Sequence, residues 1–143
     1  DLIKQAKQAK IYTSTSTNAH FIDEKKAEEI VHSGLDRLII SIDGLTQETY
    51  EQYRVHGNLS KVIEASKQLV SAKRKLQSAT PYLIFQFLAV KPNEHEIPQV
   101  FELANEINKN ESKEVLNYVS IKTKYYNEKV NILIIKFKML KLL

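Results

Sequence analysis

The stretch from Arg37 to Gly57, RLIISIDGLTQETYEQYRVHG, constrains the fold more than any other part of the 143-residue sequence. Its first half holds Leu38, Ile39, Ile40 and Ile42, a β-branched run of the kind that forms a strand buried on both faces of a parallel sheet. The run then turns polar. Ser41 and Asp43 fall on one face by the two-residue strand period, Gly44 permits a sharp exit, and Thr46 is placed to cap a short helix that delivers Arg54. A buried strand ending in a hydroxyl, a carboxylate and a nearby arginine has the makings of one wall of a ligand site. The plainer alternative is a strand end followed by a capped helix.

The flanking segments alternate between the two periodicities. Residues 1–10 are rich in alanine, lysine and glutamine and read as the end of a polar helix. Ile11 to Ser16 reads as a hydroxyl-rich strand finishing at Thr17 and Asn18, for which a solvated sheet edge is the simplest setting. A helix follows from Phe21 to His32, capped by Asp23 and striped with Ala27, Ile30 and Val31, and Ser33 and Gly34 stop it. After the central strand come the short helix Gln47 to Tyr53 and a longer one begun by Asn58 or Ser60, burying Val62, Ile63, Ala65, Leu69, Val70 and Leu76.

Thr80 and Pro81 end that helix, and Tyr82 to Val90 is too rich in aromatic and branched residues to be anything but strand. Gln86 lies inside it; a buried amide there costs several kcal/mol unless it is bonded, so a backbone, water or ligand partner is expected. Asn93 is placed to cap a further helix carrying Val100, Phe101, Leu103, Ala104 and Ile107, with Pro98 tolerated in its first turns. Val115 to Thr123 reads as a strand whose Ser120 and Lys122 make one face polar. The expected fold is α/β, a partial (β/α) barrel of parallel strands alternating with helices, truncated on its N-terminal side.

Composition narrows the chemistry. The length suits one domain but falls short of the ~200 residues or more of a complete barrel, and the chain begins at Asp1, so a fragment is expected. The net charge of +4 is spread over helices and tail without an arginine-rich arm, which gives no case for nucleic-acid binding. With no cysteine, the chain can form no disulfide and hold no iron–sulfur cluster by its own thiolates. No signal peptide or membrane-length apolar run is visible, so a cytoplasmic setting is the default. His20, His32, His56 and His95 lack metal-ligand spacing and read as scattered surface positions.

From Ile11 to Thr123 the order of features resembles the second half of a radical S-adenosylmethionine (SAM) core domain, in particular that of SPASM-type peptide-maturing enzymes. The features are ISIDG, a short acidic helix, YRVHGN, a long helix and an apolar strand with one glutamine. In that family an STNG-like turn lies beside the SAM site, and Ser16, Thr17 and Asn18 match it, with Ala19 in place of the glycine. The resemblance implies SAM as cofactor, with Arg54 pairing with the methionyl carboxylate and Ser41 contacting the ribose or carboxylate. Asn18, Thr17, Asp43 and Gln86 are further candidates, and Lys122 could neutralise acidic groups of a substrate.

Family chemistry also needs a [4Fe-4S] cluster held by three cysteines on a loop after the first strand, from which an electron cleaves SAM to a deoxyadenosyl radical. That loop and the glycine-rich GGEP-like turn are absent from this sequence, so the cluster is expected only in a full-length protein, and this chain alone should be inactive. The full-length protein would act on a peptide or small molecule.

The organisation expected is a partial core over residues 1–124 and an atypical apolar and basic tail over 125–143. The tail reads as an added strand or helix, a membrane-surface segment, or, as favoured here, sequence that is not the family's natural continuation. Two other function classes stand beside the enzyme fragment. One is a non-catalytic scaffold or binding remnant of the same fold. The other is an unrelated α/β barrel enzyme, disfavoured by the lack of a glycine-rich strand-to-helix turn.

Overall fold

The computed structural model describes residues 2–109 and 116–123. Helix α1 (Leu2–Gln8) leads into strand β1 (Ser14–Thr17), followed by α2 (Glu24–His32), β2 (Arg37–Ser41), α3 (Gln47–Tyr53), α4 (Leu59–Lys75), β3 (Tyr82–Ala89), a single 3-10 turn (Glu94–Glu96), α5 (Ile97–Asn108) and β4 (Leu116–Thr123). The four strands form one parallel sheet in the order β1-β2-β3-β4. A doubly wound sheet reverses its strand order at a switch point and places helices on both faces. Here the order never reverses and α2, α4 and α5 pack together on one face, as in an arc of a (β/α) barrel.

The core lies between sheet and helices. On the helix side of the sheet Leu38, Ile40, Leu83, Phe85, Phe87, Val119 and Ile121 are buried, packed with Ala27 and Val31 of α2, Val62, Ala65 and Leu69 of α4, and Val100 and Ala104 of α5. Each fully buried aliphatic or aromatic side chain contributes about 1.5–3 kcal/mol. The other face is more open: β3 alternates between half-buried and buried positions along its whole length, and Ile39 of β2 is only half-buried. This corrects the expectation of a strand buried on both faces. In β2 one face is sealed, while on the other Ile39 is half-buried and Ser41, at the strand's end, is covered.

Gln86 belongs to the open face. It is half-buried, so water reaches its amide and no protein partner is demanded of it. The register pairs Ser41 with Gln86 and Gln86 with Ser120, which sets three polar residues level across β2, β3 and β4.

Other boundaries moved for local reasons. Strand β1 starts at Ser14, because Asp36 takes the backbone N–H of Thr13 at 2.8 Å and its hydroxyl at 3.1 Å. Three of its four residues are exposed, as a solvated edge requires. Helix α2 starts at Glu24 with Asp23 as its cap, while Phe21 stands before it, 88% exposed. Asn58, rather than Ser60, caps α4. Asn93 makes no side-chain cap, since its amide is used elsewhere. Val115 and the tail over 125–143 lie outside the described residues.

Lys73 was not foreseen as a core residue. It is 4% exposed and donates from Nζ to the Pro81 carbonyl at 2.7 Å, tying the end of α4 to the entry of β3. Burial lowers its pKa from 10.5 to about 8. Between about pH 8 and 10.5 the unfolded chain therefore binds more protons at this site than the folded one, and stability rises with pH through that window. In urea denaturation at pH 8 and pH 10 the wild type should gain relative to Lys73→Met, which lacks the site. Parallel pH profiles for the two proteins would contradict this.

Candidate functional site

The site grows from the end of β2. Asp43, two residues beyond Ser41, is 1% exposed, and its two oxygens do different work. Oδ1 accepts the Leu88 backbone N–H at 3.0 Å, and Oδ2 accepts from Arg54 through Nε at 2.7 Å and Nη2 at 2.6 Å. The Asp43 backbone carbonyl in turn accepts from Asn93 Nδ2 at 2.8 Å, while the same amide donates to Leu88 O at 3.0 Å and its oxygen accepts from Val90 N–H at 2.7 Å. Asp43 is thus locked to the end of β3, and it holds Arg54 there.

Arg54 reaches this position because α3 is pinned at both ends. Thr46 caps it in a reciprocal arrangement with Thr49, and Arg54 is itself the C-terminal cap residue. Glu96, 3% exposed, accepts the Leu45 backbone N–H at 2.8 Å and the Thr49 hydroxyl at 2.7 Å, fastening the start of α3 to the segment after β3. Gly44 is needed for space rather than for an unusual backbone angle: a Cβ there would lie 2.4 Å from Tyr50 N and 2.7 Å from Tyr50 Cα. The expected sharp exit is in fact a close approach of two backbones.

A guanidinium carries five N–H donors, and Asp43 occupies two of Arg54's. The Arg54 side chain is 34% exposed, with Tyr53 beside it at 5.3 Å from the guanidinium carbon to the ring centre. It lines an open hollow of about 410 Å³ together with Asn18, His20, Phe21, Tyr53, Val55, His56 and Gly57. Arg54 and Asn18, 36 positions apart in sequence, meet at the C-terminal end of the sheet. This is where ligands sit in barrels and open α/β sheets.

The turn that presents Asn18 is held by its own side chains. Thr17 Oγ1 accepts the Ala19 N–H at 2.9 Å, and Ala19 adopts φ 61°, the left-handed conformation that glycine takes without cost. Alanine therefore makes the turn after β1, with strain. Thr17 and Asn18 also line a second hollow of about 440 Å³ against α2, with Ile30, Leu35 and Leu38.

The sequence-derived residues fall into three places. Asn18, Asp43 and Arg54 gather at the rim. Ser41, 7% exposed, and Gln86 sit level with each other on the sheet and do not line the Arg54 hollow. Thr17 spends its hydroxyl on the turn. The side chain of Lys122 lies outside the described residues.

Three contributors were missed. Asn93 and Glu96 gave no signal beyond helix-start character, and their partners lie about 50 residues away. His20 was read as a surface residue, but it lines the hollow and its ring stacks on Tyr50, centres 6.2 Å apart. Tyr50 is fully buried, its hydroxyl has no hydrogen-bond partner among the described residues, and burial pushes its pKa up. No cluster of metal-ligating side chains occurs among the described residues.

Comparison with known proteins finds distant, partial relatives. The probable GTP 3',8-cyclase of Methanocaldococcus jannaschii is 27% identical over 107 residues, covering 75% of this chain and 34% of that enzyme. The corresponding protein of Archaeoglobus fulgidus is 27% identical over 108 residues, 76% of this chain and 34% of its own length. The PqqA peptide cyclase of Gluconobacter oxydans is 28% identical over 107 residues, 75% of this chain and 28% of the enzyme. The chain is a distant, partial homologue of these cyclases. It spans about a third of their length or less. No family model matches it, and no helix among the described residues is long and apolar enough to cross a membrane.

Proposed function

We propose that this chain forms part of the SAM-binding wall of a radical SAM barrel, with Arg54 receiving the methionyl carboxylate of the cofactor. The observation that carries the reading is the pairing of Arg54 and Asn18 in one hollow at the C-terminal end of the strands, with Asp43 holding the guanidinium there. A planar fork with donors left over suits a carboxylate, and Asn18 adds an amide beside it. Ser41, level with Gln86 and Ser120 across the sheet, is the candidate for contact with the ribose or the carboxylate. Thr17 acts through the turn that sets Asn18. Residues 1–124 make up the core part and 125–143 a separate tail.

The donor set fits SAM and does not fit the cluster. No cysteine occurs anywhere in the 143 residues, so thiolates for a [4Fe-4S] centre must come from another part of a longer protein. In such a protein the cofactor pair supplies a carbon radical for hydrogen abstraction. This chain's own residues bind and orient the carboxylate and ribose, and the chain alone is inactive. The relatives are named as cyclases of GTP and of a peptide, which supports a small-molecule or peptide substrate.

A second reading, a scaffold that keeps the fold without the cofactor, draws on the same missing cysteines. The two part on the coding sequence upstream of Asp1. An enzyme fragment predicts a CxxxCxxC run within about 100 residues, the remaining strands of such a barrel. Upstream sequence of that length without the run would overturn the enzyme reading.

A further inference from the structure

We infer that His20 is a positioning residue that fixes the gap between the two walls of the Arg54 hollow, an inference that rests on the hollow being the cofactor-carboxylate site. One wall is the turn after β1, which carries Asn18, and the other is the segment from Tyr53 at the end of α3 to Gly57, which runs directly into Asn58, the cap of α4. His20 Nε2 accepts the Asn58 backbone N–H at 2.8 Å, and Nδ1 lies 2.9 Å from the Asn18 carbonyl. An amide N–H can only donate, so Nε2 is the bare nitrogen. Nδ1 therefore carries the hydrogen and donates it to Asn18 O. One imidazole, in one tautomer, bonds to the backbone of both walls.

The remaining geometry explains why that link matters. Gln47 already fastens the loop to α3, donating from Nε2 to Gly57 O at 2.7 Å and accepting Leu59 N–H at 2.9 Å. The turn after β1 has no comparable tie to the loop except through His20, among the described residues. It is also strained at Ala19. Stacking on the buried Tyr50 ring keeps the imidazole in place between them. Asn18 is thereby held at a set distance from Arg54, which Asp43 fixes independently.

Two variants separate positioning from packing. His20→Phe keeps a ring against Tyr50 and loses both bonds, whereas His20→Gln keeps an amide donor and acceptor. S-adenosylhomocysteine affinity should weaken about fivefold in His20→Phe, the worth of roughly one neutral hydrogen bond, and recover in His20→Gln. Amide hydrogen exchange at Asn58 should speed up in His20→Phe. The wild-type imidazole should show the nitrogen shifts of an Nδ1-protonated ring. Unchanged affinity in His20→Phe overturns the inference even where exchange at Asn58 rises. If the wild type binds no S-adenosylhomocysteine at all, the cofactor reading fails, and His20 is decided on the other two measurements. An Nε2-protonated ring, or unaltered exchange at Asn58, then overturns the link, and the opposite pair of results upholds it.

Discussion

Asp43→Ala should destabilise the fold by about 3 kcal/mol, a large share of the roughly 5–15 kcal/mol that holds a domain together. The Asp43 carboxylate is 1% exposed and accepts from Arg54 and from the Leu88 backbone. Alanine leaves the Leu88 N–H short of its acceptor and Arg54 without its partner. Deleting the buried carboxylate strands a buried N–H and unpairs a cation that water, reaching an Arg54 side chain 34% exposed, only partly resolvates. Asp43→Asn retains an oxygen for Leu88 but turns an amide toward the guanidinium, and should lose about half as much. Urea denaturation of both variants reads the difference. A loss under about 1 kcal/mol for alanine would mean that water replaces the carboxylate, and the lock described at the end of β2 would not exist.

Gly44→Ala should be at least as severe, at about 3 kcal/mol or more, though it adds a single methyl group. The atoms that the new Cβ meets, at 2.4 to 2.8 Å, are Tyr50 N, Tyr50 Cα and Thr49 C. These are backbone atoms of α3, with no side chain to swing aside. Relief requires the helix to shift, and Arg54 at its end shifts with it. Gly34→Ala is the control, because its φ is 79° and its nearest contact is the flexible side chain of Lys7 at 3.4 Å. That change costs only about 1 kcal/mol of backbone strain and leaves the hollow alone. Equal losses for Gly34→Ala and Gly44→Ala would remove the case for close packing of β2 against α3.

The contrast between those glycines shows what could be read from residues alone. The βα alternation was legible because buried stripes and strand runs are local patterns, and so were the caps at Asp23, Thr46 and Asn58. The end of β2 as a polar corner was legible for the same reason. What joined the corner was not. Asp43 bonds to Leu88 across 45 positions, Asn93 to Asp43 across 50, and Glu96 to Leu45 across 51. No periodicity encodes such partners. Asn93 looks like a helix cap because asparagine before glutamates usually is one, but its side-chain oxygen accepts the Val90 N–H instead while its NH2 donates to Asp43 O and Leu88 O. Gln86 was taken for a buried amide because its strand neighbours are apolar. The sheet's second face is open among the described residues, which no run of nine letters could reveal.

The central claim is that Arg54, braced by Asp43, has donors left for a carboxylate. Calorimetric titration of the chain with S-adenosylhomocysteine and with 5'-methylthioadenosine, which lacks the amino-acid carboxylate, tests it without needing the cluster. The account predicts saturable binding of S-adenosylhomocysteine, weaker binding of methylthioadenosine by about tenfold or more, and loss of that difference in Arg54→Met. Equal affinities for the two ligands in the wild type, or no saturable heat from either, would contradict it.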